Sequence, residues 1–200
     1  MGCIYKNVRA ASWIYGTYFL VREGCMKKVI ILIFLGIGFC LHAQQYRTAW
    51  DTIPSSTDKK IINYILDECF DNQIDPELIF ALISVECDWK LNAKPSLNSN
   101  GTYDYGPMRL NGPFIDEYAS KYGKKGKKYN AKTNIYDNLE LGIRYFASLY
   151  NRDCNGNALL ALYSYNCGYA RTMRGQVPKT TKSYALSILS VYDPSYCFVD

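Results

Sequence analysis

Two hundred residues with 48% hydrophobic content suit one globular domain plus a targeting segment, and no internal repeat or low-complexity tract interrupts them. Of the formal +5 charge, most sits early: five of the 23 Lys and Arg, and one of the 18 Asp and Glu, precede Gln44, leaving a net of +1 after it. That balance gives nucleic-acid binding no support. With the only histidine at His42, the chain beyond it cannot run Ser-His or Cys-His catalysis and lacks the usual zinc ligand set.

Residues 1–25 carry no pattern and precede a good start methionine, Met26, so they read as an upstream extension from a start set too early. Met26-Lys27-Lys28, the apolar run from Val29 to Leu41 and the small-residue site at Ala43 make residues 26–43 a secretory signal peptide. The apolar run is shorter than the about 20 residues that a membrane span takes. A lipid anchor on Cys40 is disfavoured by bulky Phe39 before it. The expectation is an exported protein, periplasmic or secreted, without a membrane span after cleavage. Residues 44–57 read as a polar N-terminal arm. Cys69, Cys87, Cys154, Cys167 and Cys197 follow the signal peptide, an odd number in a compartment that permits disulfides, and their pairing is left open.

The first helix is expected from Asp58 to Phe70, with Ile61, Ile62, Ile65, Leu66 and Cys69 on one wide face. Asp75 as N-cap and Pro76 at the first helical position open a second, in which Leu78, Ile79, Leu82, Ile83 and Val85 recur at helical spacing. Glu86 stands on the edge of that face. A carboxylate there is desolvated and tends to hold a proton near neutral pH, as a general acid must. The helix alone allows equally that Glu86 reaches the surface or pairs with a structural arginine.

The helical pattern stops after Trp89. Asn98-Ser99-Asn100-Gly101 is turn chemistry, Thr102, Tyr103 and Tyr105 favour a strand, and Gly106-Pro107 ends the run. Asp104 therefore lies on a short hairpin, 18 positions after Glu86. Two carboxylates in unlike surroundings, one apolar and one wet, are the pair that glycoside hydrolysis uses. A helix restarts at Asn111-Gly112-Pro113 and stops at Gly123, with Phe114 and Tyr118 in the core. Lys121, Lys124, Lys125, Lys127 and Lys128 read as a solvated loop. Asp137-Asn138-Leu139-Glu140 has the form of a capping box before a stripe of Leu139, Gly142, Ile143, Phe146, Leu149 and Tyr150. Asn157 caps Ala158 to Tyr165. By themselves Tyr165 would fill the core, Asn166 would cap the helix end and Tyr184, in the last helix, would pack.

In this order the motifs resemble the soluble lytic transglycosylase family of peptidoglycan-cleaving enzymes. Glu86-Cys87, Asn92-Ala93 and Gly106-Pro107-Met108-Arg109 stand where the family has Glu-Ser, Asn-Ala and Gly-Leu-Met-Gln. Asn138 and Gly142 match a family helix that begins with Asn and carries a packing Gly. Ser164-Tyr165-Asn166-Cys167-Gly168 resembles Ala-Tyr-Asn-Ala-Gly, and Pro178 to Tyr184 resembles Pro-x-Glu-Thr-x-x-Tyr with Thr180 in place of Glu. The resemblance covers residues 58 to 191, while Asn100 to Gly106 is similar to the hairpin of chicken-type lysozymes, whose aspartate falls on Asp104.

The resemblance implies a mainly α, lysozyme-like α+β domain over residues 58–200, with a small β-hairpin beside the active-site cleft. It implies Glu86 as catalytic acid and base, Asp104 as the second catalytic candidate, and Tyr105, Met108, Arg109, Tyr165, Asn166 and Tyr184 as substrate-binding residues. The reaction implied is cleavage of the MurNAc-GlcNAc β-1,4 bond to a 1,6-anhydroMurNAc product, with no metal or cofactor. The implied partners are peptidoglycan glycan strands, and a secretion or motility apparatus that needs the wall opened. Two alternatives stay open: a hydrolytic muramidase using Glu86 with Asp104, and a peptidoglycan-binding or assembly module with little turnover. Cys87 for Ser, Pro107 for Leu and Arg109 for Gln are departures from the family pattern, and Arg109 puts the sugar contacts at its position in doubt.

Overall fold

Six consecutive residues, Leu78 to Ile83, are each no more than 1% exposed. The second helix is therefore surrounded by protein, as a helix apolar on all sides must be. The computed structural model describes residues 48–193. The upstream extension, the signal peptide and Cys197 lie outside the described residues. Among those described, no helix is long and apolar enough to cross a membrane.

Helix α1 (Lys59–Asp71) is capped by Asp58, which accepts from the Lys60 amide, and α2 (Pro76–Cys87) by Asp75, which accepts from the Glu77 amide. Such caps satisfy donors that a helix start otherwise leaves unpaired. The arm before α1 is not loose: Ala49–Thr52 forms a 3-10 turn against α2, with Ala49 fully buried. The Trp50 ring meets Phe80 edge-on at 4.7 Å, and the Trp89 indole donates to Thr52 Oγ1 at 3.0 Å. Aromatic packing thus orders a stretch whose polar composition predicts an unspecified arm.

A three-stranded antiparallel sheet follows, in the order β1 (Ser96–Leu97), β2 (Tyr103–Tyr105), β3 (Leu110–Asn111). The expected hairpin thus gains a third strand. Gly106-Pro107 does not end the run but reverses it: Arg109 N donates to Gly106 O at 3.1 Å, closing a turn in which Gly106 and Arg109 both have positive φ. The helix expected from Asn111 begins as a 3-10 turn (Gly112–Phe114) and continues as α3 (Ile115–Tyr122).

Helix α4 (Ile135–Ser148) corrects the capping-box reading. Its N-cap is Asn134, whose side chain takes the Tyr136 and Asp137 amides, so Asp137, Asn138 and Glu140 lie inside the helix and are buried. Glu140 instead accepts from Tyr64 and Tyr129 hydroxyls and pairs with Lys127 at 2.7 Å. Burial would raise its pKa, but Lys127, Tyr129 and Tyr64 outweigh that and hold it at about 2. Glu68, also buried, pairs with Lys124 at 2.8 Å and Arg144 at 3.2 Å. Two lysines of the presumed solvated loop are therefore counter-ions that fasten it to α1 and α4, as buried carboxylates require.

Helices α5 (Ala158–Cys167, capped by Asn157), α6 (Tyr169–Met173) and α7 (Lys179–Tyr192) complete the domain. Helix α7 packs along α2, and α5 packs on α7. Cys69, Cys87, Cys154 and Cys167 are free thiols.

Candidate active site

Helix α2 ends at Cys87, and Asp88 and Trp89 both turn left-handed, at φ 51° and 56°. This abrupt stop leaves carbonyls of the last turn without amide partners. One of them, Glu86 O, accepts from Arg109 Nε at 3.1 Å, and Arg109 Nη1 also donates to Lys94 O at 3.1 Å. The turn between β2 and β3 is thus tied to the end of α2.

The Glu86 side chain is half-buried and opens into a cleft of about 620 Å³, a volume within the range of small-molecule sites. Burial raises its pKa from 4.5 to about 7; the Tyr184 hydroxyl and the Arg109 charge oppose the rise, and Asp104 adds to it. Tyr184, from α7, donates to Glu86 Oε1 at 2.5 Å. Burial and the Glu86 carboxylate push the Tyr184 and Tyr165 pKa values well above 10, so both remain donors. Such a carboxyl exchanges its proton near neutral pH.

Asp104 lines the same cleft. Register explains its setting: Asp104 pairs with Asn111 across the sheet, so the two side chains share a face, and Asn111 Nδ2 donates to Asp104 Oδ1 at 2.7 Å. The turn amide at Thr102 donates to Asn100 Oδ1. Neighbouring Tyr105 points the other way, as strand alternation demands. It is not among the residues lining the cleft, and its ring lies under Lys132 Nζ.

Met108 departs from its expected place. Its side chain is fully buried against Gly142, where a β-carbon would collide with it, and its carbonyl accepts from Tyr165 OH at 2.6 Å. Asn138 secures the same turn, donating to Tyr105 O and accepting from Met108 N, both at 2.9 Å. Met108 and Tyr165 thus hold the turn carrying Arg109, and the Tyr165 hydroxyl proton is committed to that turn. Asn166 does line the cleft, with its Oδ1 accepting from Thr181 at 2.7 Å and its amide nitrogen left to donate. Of the family departures, Cys87 donates to Ile83 O and Pro107 is buried.

Sequence reasoning missed an aromatic wall. Phe114, read as core, is 48% exposed and lines the cleft with Tyr118, Tyr145 and Tyr165. Tyr118 stacks on Tyr145 with centroids 4.4 Å apart, and Tyr145 lies 5.3 Å from Tyr165. The four-residue spacing of Phe114, Tyr118 and Tyr122 was the available signal. Arg171, on α6, also lines the cleft and no motif marked it.

A buried helix that ends in an acid, facing a small antiparallel sheet across a cleft walled by further helices, is the lysozyme-like α+β arrangement. Residues 63–188 match the Transglycosylase SLT domain family, and the chain belongs to it. Among solved structures the fold is similar to that of an inactive mutant of the lytic transglycosylase Slt from Pseudomonas aeruginosa. That likeness has a TM-score of 0.53 and 18% identity, and covers 70% of this chain and 25% of that one. The chain thus spans about a quarter of that enzyme's length. No curated protein matches the chain.

Proposed function

We propose that the protein is an exported lytic transglycosylase that cleaves the MurNAc-GlcNAc β-1,4 bond of peptidoglycan. Glu86, protonated near neutral pH, gives its proton to the glycosidic oxygen as the C1–O bond breaks. The resulting carboxylate then takes the proton of the sugar's own 6-hydroxyl as that oxygen attacks C1, leaving a 1,6-anhydroMurNAc end. The single observation that carries the reading is the Glu86 carboxyl itself, opening into the cleft with a pKa of about 7 and fixed by Tyr184. Family membership supports it. Tyr184 orients the acid, Asn166 offers an amide to sugar oxygens, and the Phe114–Tyr118–Tyr145 wall offers faces against which pyranose rings pack.

A second reading, hydrolysis with water as acceptor, is favoured by the place of Asp104, on the same cleft and held by Asn111. In that scheme the carboxylate serves as nucleophile or ion stabiliser. The test is clearance of purified peptidoglycan by variants of matched fold. Glu86→Gln should lower turnover about 10²–10⁴-fold, the usual worth of a positioned proton donor, and Asp104→Asn should cost far less. Parent-rate clearance by Glu86→Gln overturns the assignment.

A further inference from the structure

Arg109 and Arg171 both line the cleft, from the β2–β3 turn and from α6. Arg109 Nε and one terminal nitrogen, Nη1, are committed to the Glu86 and Lys94 carbonyls, whereas Arg171 commits only its inner nitrogen, Nε, to Gln176 O at 2.9 Å. Neither forms a salt bridge among the described residues, and Arg109 Nη2 and both Nη atoms of Arg171 have no acceptor there. Arg171 is thus a fork-shaped donor held by its stem, the arrangement that suits a carboxylate, and Arg109 keeps one terminal nitrogen to donate beside it.

Charge in the cleft points the same way. Among the described residues, Asp104 is the one carboxylate besides Glu86 that lines the cleft, and it is already bonded by Asn111. Tyr184 and Tyr165 are neutral donors at neutral pH. When Glu86 carries the proton it needs as an acid, two arginines therefore face one aspartate, and the cleft is left with an excess positive charge. A neutral polysaccharide gains nothing from that excess. A glycan that bears carboxylates is drawn in and held by it.

We infer that Arg109 and Arg171 form a carboxylate-reading site, so that the cleft selects anionic glycan strands over neutral ones of the same length. The inference rests on the peptidoglycan reading above. The carboxylate has two sources of one chemistry: the lactyl group of a muramic acid without its stem peptide, or the end of the stem peptide itself.

Calorimetric titration of the Glu86→Gln protein, which holds ligand without turning it over, separates these cases. Three GlcNAc-MurNAc tetrasaccharides serve as probes: one with free lactyl carboxylates, one with lactyl methylamides, and one whose lactyl amides carry a short peptide ending in a carboxylate. At least one carboxylate-bearing probe should bind about tenfold tighter than the methylamide, equivalent to about 1.4 kcal/mol, and the advantage should shrink at high salt. Whichever binds tighter identifies the carboxylate that is read. Adding Arg171→Gln should erase the advantage and Arg171→Lys should restore part of it, with methylamide binding unchanged throughout. Arg109→Gln is the second arm, checked by its unfolding curve because Arg109 also ties α2 to the turn. Equal binding of all three probes overturns the inference and leaves the glycan-cleft reading standing. Binding of none overturns both.

Discussion

The buried Glu86 carboxyl, proposed as the acid, should make the fold less stable at alkaline pH, and the size of the effect follows from its setting. Burial moves its pKa from 4.5 to about 7. The folded state therefore holds the proton more tightly than the unfolded chain does. Stability contributed by the protonated form is complete below pH 4.5, declines as pH rises through 7, and levels off above it. At about 1.4 kcal/mol for each pH unit of displacement, the ionised acid costs about 3 kcal/mol at its plateau. Glu86→Gln keeps the shape and cannot ionise. Urea unfolding of parent and variant should coincide at about pH 4, while at about pH 8.5 the variant should be more stable by about 2–3 kcal/mol. Melting should rise by about 2–4 °C per kcal/mol for a domain of this size. Other titrating groups, Glu140 among them, are common to both proteins and cancel. A variant that is no more stable than the parent at pH 8.5, or equally more stable at both pH values, would refute the claim that Glu86 is desolvated.

Two further outcomes follow from the same neighbourhood. Tyr184→Phe removes a donor that favours the Glu86 carboxylate, so the pH at which activity falls as Glu86 ionises should move upward by about one pH unit or more, a hydrogen bond to a charged group being worth about 1.5–3 kcal/mol. A pH-rate profile with an unmoved or lowered midpoint would contradict the placement of that hydroxyl. Gly142→Ala puts a methyl group against the Met108 side chain and should cost about 1–3 kcal/mol by overpacking. It should also lower turnover by shifting the turn that carries Arg109, read as a kcat loss larger than any change in KM.

Much of the helical framework was legible because its signals are local. Asp58, Asp75 and Asn157 cap helices where their side chains can reach amides two or three residues on. The meeting of Glu86 with Tyr184, 98 positions apart, has no local signal, since no periodicity reports a contact at that separation. The misses have a common cause in tertiary context. Glu140 looked like a capping-box acid because the same residue type serves as a cap or as a buried counter-ion, and only the lysine loop opposite decides. Phe114 and Tyr118 looked like core because apolarity does not distinguish a packed ring from a cleft wall. β3 has two residues, too few for alternation to show. Met108 belongs to a motif that lines the cleft, yet Gly142 admits its side chain to the core, so the motif acts there through its backbone.

If Glu86 alone cleaves a glycan by intramolecular attack, peptidoglycan digested to completion carries the signature in its ends, which mass analysis reads. Parent protein should release disaccharide-peptides ending in 1,6-anhydroMurNAc, 18 Da lighter than their hydrated counterparts (the mass of one water). Asp104→Asn should give the same ends, and Glu86→Gln should give none. Reducing MurNAc ends from the parent, together with near-total loss in Asp104→Asn, would contradict intramolecular attack and assign the chemistry to the carboxylate pair.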